Sequence, residues 1–215
     1  GYGLTETAPL LAGKMVGSGS FQSTGKPVPG VEIKIHEADA RTGEGEIWVK
    51  GPNVMKGYYG EPEMTAQVLS PDGWFRTGDL GVFNRQGDLM IKGRSKSMIV
   101  GSSGENIYPE EIESIINTFR YVAESLVIEQ KGKLVAMVHF NREALEEKYQ
   151  HLKEEVTDYV EHKIEELRKE LQDYVNHRVN KFSRIHSIHY HPSPFQKTAT
   201  HKIKRFLYHG DKTQA

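Results

Sequence analysis

Three short stretches of this chain carry residues whose types and spacing could do chemistry. The first, GYGLTET, sets permissive glycines beside an aromatic ring, hydroxyls and a carboxylate: Tyr2, Gly3, Thr5 and Glu6. That set suits a flat base, a phosphate and a hard cation such as Mg²⁺, although any glycine-rich turn with a capping threonine looks the same. In the second, DLGVFNRQGDLMIKGR, a two-residue loop at Gln86-Gly87 would pair Val82 with Ile91 and Asp79 with Arg94. One carboxylate and one guanidinium then stand together at the open end of a hairpin. The plain alternative is a surface ion pair worth at most about 1 kcal/mol.

The third stretch, KTATHKIKR, gathers Lys197, Lys202, Lys204 and Arg205 with hydroxyls at Thr198 and Thr200. It suits phosphate, including a nucleic-acid backbone, or is simply a solvated basic tail. No interleaved aromatic platform accompanies it, which argues against nucleic acid. His186, His189 and His191 could offer nitrogen ligands to zinc, but alternate strand residues face opposite ways, so only part of the trio can converge. Ser102 and Ser103 lie between Gly101 and Gly104, yet no general base stands at a recognisable spacing, so a serine nucleophile is not supported.

Composition narrows the choices. With 28 basic and 29 acidic residues in 215, no global field draws the chain to nucleic acid or anionic lipid, so anion binding must be local. The absence of cysteine excludes disulfides and thiolate catalysis, and fits a reducing, cytoplasmic setting. No apolar run approaches the roughly 20 residues of a membrane span; peripheral membrane contact stays open. Gly1 opens the chain without a methionine, inside what reads as a ligand-binding loop, so the expectation is a missing N-terminal part.

Glycine and proline divide the elements that must position these residues. They are dense up to Pro109 and then vanish between Gly132 and Pro192. The first half reads as short strands, VEIKIH and GEIWVKG among them, forming an antiparallel, barrel-like or sandwich unit. PEEIESIINTF then marks an amphipathic helix with an early proline and acidic first turn. Strands ESLVIEQ and KLVAMVHF follow, joined by a turn at Lys131-Gly132. Apolar residues from Leu145 to Val179 recur at helical steps, predicting one long helix or two between Arg142 and Lys181, and RIHSIHYH reads as a last strand. The fold class is α+β: residues 1–95 hold the barrel-like subdomain, and residues 96–215 a small α+β domain.

Taken in order, YGLTET, GEIWVKGPNVMKGYY, GWFRTGDLG, IKGRSKSMIV, GENIYPEEIES and TATHKIKR resemble the adenylate-forming, AMP-binding family of acyl-CoA synthetases, luciferases and peptide-synthetase adenylation domains. The resemblance covers nearly the whole chain, and its order is its most specific feature. It implies that residues 1–95 end a large AMP-binding domain and that residues 96–215 form a mobile C-terminal lid. The implied reaction joins a carboxylic acid to ATP as an acyl-adenylate with loss of pyrophosphate, then passes the acyl group to coenzyme A. By resemblance Tyr2 lies against adenine beside Gly3, Thr5 contacts the α-phosphate, and Glu6 holds Mg²⁺. Asp79 binds the ribose hydroxyls with Arg94 beside it, Lys96 is the hinge, and Lys202 stabilises charge during adenylation. The Gly101 to Gly104 loop covers the site in the second half-reaction.

Two departures stand out. Ser97 occupies a position where many members carry an acid, and His201 replaces the commonest glycine before the catalytic lysine. TxTxKxKR and GENIYPEEIE are most like long-chain fatty acid–CoA ligases, so a fatty acid is the preferred substrate. The family's Ser/Thr/Gly-rich phosphate loop has no convincing copy here. GSGSFQSTGKPVPG is the nearest look-alike, and its Pro27 after Lys26 fits better as a lead-in to the strand at Val31. The expectation is therefore a C-terminal fragment of an acyl-CoA synthetase, inactive in adenylation alone. An adenylation domain loading a carrier protein and a noncatalytic nucleotide- or CoA-sensing module are the alternatives.

Overall fold

A computed structural model of the chain describes residues 1–14, 23–141, 143–145, 157–199 and 201–208. Its contacts divide into two compact units, Gly1–Ser97 and Met98–Ala215.

In the first unit β1 (Tyr2–Gly3), β2 (Leu10–Gly13) and β3 (Lys26–Pro27) form a small antiparallel sheet. β4 (Glu32–His36), β5 (Gly45–Lys50), β6 (Phe75–Phe83) and β7 (Leu89–Arg94) form a second sheet in chain order. A bridge from Gly25 to Leu89 joins the two. The alternation that predicted the strands decides what each face buries. Ile47 and Val49 turn into a core with Leu11, Phe75 and Leu89, while Lys34, Trp48 and Arg76 share the other face. There Trp48 is shielded by His36, stacked at 3.8 Å, and by the Arg76 guanidinium at 4.8 Å. Among the described residues no sheet closes on itself, so the expected barrel-like unit is a pair of bridged open antiparallel sheets. Residues 61–69 also hold a helix the strand pattern did not signal, α1 (Pro62–Val68), which starts at a proline in its first turn.

The hairpin of β6 and β7 corrects the expected register. Gly87 N–H donates to Asn84 O at 3.0 Å and Asn84 N–H to Asp88 O at 3.0 Å, so the loop is Arg85-Gln86-Gly87 rather than Gln86-Gly87. Gly87 has φ +79°, the left-handed residue that such a three-residue loop needs. The longer loop pairs Val82 with Met90 and Gly81 with Ile91, not Val82 with Ile91. A bulge between Leu80 and Gly81 then absorbs one residue, and Asp79 faces Arg94 after all.

The second unit starts with a short hairpin of β8 (Ile99–Val100) and β9 (Asn106–Ile107). α2 (Pro109–Ile116) begins at a proline, with Glu110 and Glu111 in its first turn. It stops short of the expected Phe119, which nevertheless packs into the same core. β10 (Val122–Gln130) and β11 (Lys133–Phe140) turn through Lys131 and Gly132, both at positive φ, as a two-residue hairpin loop requires. α3 (Thr157–Asn176) crosses over to β12 (Ser187–Tyr190), which lies parallel to β11. The helical reading of 142–181 is met from Thr157 to Asn176; residues 142 and 146–156 lie outside the described residues.

This sheet is covered on both faces, which explains its nearly continuous apolar strands. On one side Ile112 and Ile116 of α2 and Leu167, Leu171 and Val175 of α3 pack on Val127, Ala136 and Val138. On the other, Leu126, Ile128 and Val135 receive Phe195, Ile203 and Tyr208 from the C-terminal segment. Phe195, Ile203 and Tyr208 thus anchor that segment on the sheet, while residues 196–199, 201 and 202 stay exposed.

Candidate functional site

In the first unit the sheet register brings together three residues that lie far apart in the chain. Arg94 Nε lies 2.8 Å from Asp79 Oδ1, and the Tyr2 hydroxyl donates to Asp79 Oδ2 at 2.6 Å. Burial, and after it the Asp79 carboxylate, push the Tyr2 phenol well above its ordinary value, which favours the protonated hydroxyl that donates to Asp79. Asp79 is only 6% exposed, whereas the Arg94 side chain is 41% exposed, so the pair has a buried acid and a solvent-facing base. Sequence reasoning missed Thr77. Its hydroxyl donates to Ile47 O at 2.8 Å and accepts from Asp79 N–H at 3.1 Å, while its carbonyl accepts from Arg94 Nη1 at 3.3 Å. Thr77 thus sets the height of Asp79 above the sheet. Its place two residues before Asp79, on the same strand face, was the only available signal.

Beside β1 the chain makes a tight turn, Thr5–Thr7, whose form rests on buried Thr7. The Thr7 hydroxyl accepts from Leu4 N–H at 3.1 Å and reaches Leu4 O and Pro9 O at 3.0 and 3.1 Å. A Cβ on Gly3 would stand 1.6 Å from Pro9 O, so only glycine lets the strand pass there. Thr5 is left exposed and Glu6 half-buried. The segment after β5 wraps this turn. Asn53 Nδ2 donates to Thr7 O at 2.8 Å and Leu10 O at 3.0 Å, Met55 N–H to Glu6 O at 2.8 Å, and the Tyr58 hydroxyl to Glu6 Oε1 at 3.2 Å. Burial, then the Glu6 charge, raise the Tyr58 phenol. Asn53 and Tyr58 were also missed; both sit in GPNVMKGYY, but nothing in that spacing shows that it folds onto GYGLTET.

Lys96 lies exposed in the turn Ser95–Ser97. Gly101, Gly104 and Lys202 belong to the second unit. Gly101 and Gly104 close the loop between β8 and β9, with Gly104 N–H donating to Gly101 O at 2.9 Å and Gly104 at φ +81°. Lys202 stands near the tip of a small hairpin in which Lys197 pairs with Ile203 and Thr198 N–H donates to Lys202 O at 2.8 Å. Its side chain is exposed. His201, the unusual residue before it, has φ +59°, a left-handed conformation that favours glycine. The departure from glycine noted in the sequence therefore falls on a backbone position where glycine is the easier residue.

The basic patch does not act as a unit. Lys197 Nζ is 2.5 Å from Glu124 Oε1, and Phe195 N–H donates to Glu124 Oε2 at 3.0 Å. Burial pushes the Glu124 carboxyl up, but these partners outweigh it and hold the group below its ordinary value. Arg205 Nη2 bonds to Glu113 Oε2, with Nη1 donating to Val127 O at 3.3 Å and Nε 3.7 Å from Glu110 Oε1. Glu113 also accepts from Val127 N–H at 2.6 Å, yet its burial dominates and its carboxyl is pushed up to about 7. The three histidines separate. His186 Nε2 lies 3.2 Å from Lys133 Nζ, His189 Nε2 3.2 Å from Ser187 Oγ, and His191 Nδ1 2.5 Å from Ser193 O.

Known proteins agree with this architecture in both units. Sequence models described as AMP-binding enzyme and AMP-binding enzyme C-terminal domain match residues 1–59 and 96–208. The chain belongs to the AMP-binding enzyme family. It is 39% identical over 171 residues to a long-chain-fatty-acid–CoA ligase of Yersinia pestis, covering 74% of this chain and 30% of that protein. It is 38% identical over 159 residues to a chloroplastic long-chain-fatty-acid–[acyl-carrier-protein] ligase of Arabidopsis thaliana, covering 66% and 22%. The structure of O-succinylbenzoate coenzyme A synthetase from Bacillus subtilis, in complex with AMP, matches all of the chain and 40% of its own, with 29% identity and a TM-score of 0.72. The chain therefore spans less than a third of the length of these two curated relatives. No helix among the described residues is long and apolar enough to cross a membrane.

Proposed function

We propose that this chain is the C-terminal part of an ATP-dependent acyl-CoA synthetase acting on a fatty acid. The observation that carries the reading is the Tyr2–Asp79–Arg94 constellation, with Arg94 2.8 Å and Tyr2 2.6 Å from one buried carboxylate. A carboxylate oxygen can accept more than one hydrogen bond, and Asp79 would receive the ribose hydroxyls alongside its protein partners. Tyr2 and Gly3 would flank adenine, Thr5 would contact the α-phosphate, and Arg94 would face the nucleotide beside Asp79. Glu6 fits Mg²⁺ as a half-exposed carboxylate, because that ion takes one or two carboxylates and completes its shell with phosphate and water. The ion would neutralise phosphate charge; Tyr58, by donating to Glu6, keeps the carboxylate aimed.

Attack of a carboxylate on ATP brings two anions together, and a cation delivered late offsets that repulsion where it develops. Lys202, exposed on its hairpin, is the group for that role. We place the hinge at Lys96, between a large-domain remnant at 1–95 and a lid at 96–215; the exposure of Lys96 supports this, as does a C-terminal family match starting at 96. After rotation the Gly101 to Gly104 loop would replace Lys202 over the site. Coenzyme A is the acceptor by likeness to the Yersinia ligase; the Arabidopsis relative keeps a carrier-protein acceptor as the second reading. A cytoplasmic location accompanies this reading and rests on the cysteine-free composition.

The test is ATP–pyrophosphate exchange by the full-length protein over a panel of carboxylic acids. Fatty acids should support exchange, and Lys202→Ala should reduce it by about 10²-fold or more while sparing acyl transfer from preformed adenylate. No exchange with any acid would overturn the enzyme reading, and equal loss of both steps would overturn the role of Lys202.

A further inference from the structure

The exposed hairpin that carries Lys202 is held at its tip by a few local bonds, His201 N–H to Thr198 O at 3.0 Å and Lys202 N–H to Thr198 Oγ1 at 3.2 Å among them. A lone two-stranded hairpin is marginal in water, and this one contains His201 at φ +59°. Its stability must come from what lies on either side. Before the tip, Phe195 is buried against Leu126, Ile128 and Val135, its N–H donates to Glu124 at 3.0 Å, and Lys197 reaches the other Glu124 oxygen at 2.5 Å. After the tip, Ile203 enters the same apolar cluster and Arg205 bonds to Glu113 and to Val127 O. The ladder between these anchors is short: Lys204 N–H to Gln196 O and Thr198 N–H to Lys202 O, both 2.8 Å.

We propose that Glu124 and Glu113 act as positioning residues for Lys202, clamping the two legs of its hairpin to β10 and α2. Both carboxylates are largely buried, with side chains 18% and 12% exposed, so the Glu124–Lys197 pair is screened less than a surface ion pair, and the Arg205 guanidinium can donate to Glu113 whether or not that carboxyl is charged. Each takes its cation from within five residues of Lys202, one on each side of the tip. Three of the four basic residues of the segment therefore do different work: Lys197 and Arg205 fasten it from opposite legs and Lys202 is presented. The inference rests on the proposed role of Lys202.

The test uses the full-length protein and three readouts: pyrophosphate exchange, acyl transfer from preformed adenylate, and amide exchange of residues 196–204. Lys197→Met and Arg205→Met should each slow pyrophosphate exchange by about 10-fold to 10²-fold, the scale of an ångström-level misplacement. Acyl transfer should change less than about two-fold, since the lid would then present the Gly101 to Gly104 loop instead. The hairpin amides should exchange faster. The paired swap Glu124→Lys with Lys197→Glu should recover part of the pyrophosphate exchange lost in either single change, which would show that the two side chains act as a pair; the split between the half-reactions separates positioning from a merely structural role. If Lys202→Ala abolishes pyrophosphate exchange and both methionine variants leave it intact, the clamp is overturned and the catalytic reading stands. If Lys202→Ala is harmless while the variants still loosen the hairpin amides, the clamp exists but does not serve catalysis, and the proposal fails with the reading it rests on. Equal loss of both half-reactions in the methionine variants would mark the pairs as general supports of the fold and overturn the proposal.

Discussion

The two units hold their charged groups in opposite ways. In the first, Asp79 is buried and Arg94 and Tyr2 converge on it from a neighbouring strand and from the start of the chain. In the second, Lys202 is exposed and the acids that matter lie to either side of it. A site that must recognise a nucleotide gains from groups fixed before the ligand arrives, because their ordering cost is met during folding. A cation that acts only while charge develops gains from being free at its tip and fixed at its base. Buried acid is common to both arrangements; what differs, on the proposed reading, is whether its basic partner is the functional group or the fastening.

Four substitutions would break or sharpen that contrast. Asp79→Ala has the largest expected effect. It strips a partner from both Arg94 and Tyr2, should cost the first unit up to about 3 kcal/mol, chiefly by leaving the Tyr2 hydroxyl unpaired, and should weaken nucleotide binding in both half-reactions. Urea denaturation and titration with AMP would show this; unchanged AMP affinity would remove Asp79 from the nucleotide site.

Next comes Glu113→Gln. The Glu113 carboxyl is raised in the fold to about 7 from an ordinary 4.5, chiefly by burial. Its contribution is fully present below pH 4.5 and is lost as pH climbs through 7, because the unfolded chain then gives up the proton more readily. The stability of the wild type relative to the glutamine variant should therefore fall by up to about 3 kcal/mol between pH 4.5 and 7.5. A relative stability that rises over that window would mean that Arg205 outweighs burial.

Tyr2→Phe should cost about 1 kcal/mol, the worth of one hydrogen bond to Asp79, and should loosen AMP binding more than it lowers the melting temperature. His201→Gly is the smallest. Relieving the left-handed backbone should stabilise the hairpin by no more than about 1 kcal/mol, visible as slower amide exchange at Thr198 and Lys202. Faster exchange would show that the histidine side chain itself supports the turn.

The hairpin of β6 and β7 shows how legible the site was. The pairing of Asp79 with Arg94 follows from counting along the strands, but the count assumed a loop one residue too short. The bulge at Leu80 and Gly81 restored the pair. Neither the loop length nor the bulge has a strong local signature, and their cancellation is a property of the folded sheet. Tyr2 was legible as a residue type in a suggestive setting, while its bond to Asp79 spans 77 positions and lies beyond any periodicity. The basic segment misled in the other direction. Lys197, Lys202, Lys204 and Arg205 look equivalent in sequence, and only the positions of Glu124 and Glu113 separate fastening from presentation.

By itself the sequence determined the elements that depend on neighbours along the chain. The alternating strands at 32–36 and 45–50, the proline-started helix at 109, the Lys131-Gly132 turn and the order of six motifs that mark the family are all short-range patterns, set by backbone preference and side-chain period. Tertiary structure alone decided that the sheets among the described residues of the first unit are open rather than closed, that the segment at 53–58 wraps the Glu6 turn, and that the basic segment covers a sheet. Those outcomes depend on which buried polar groups find partners across long separations. A buried acid takes whichever base the fold brings to it, and no local rule along the chain names that base in advance.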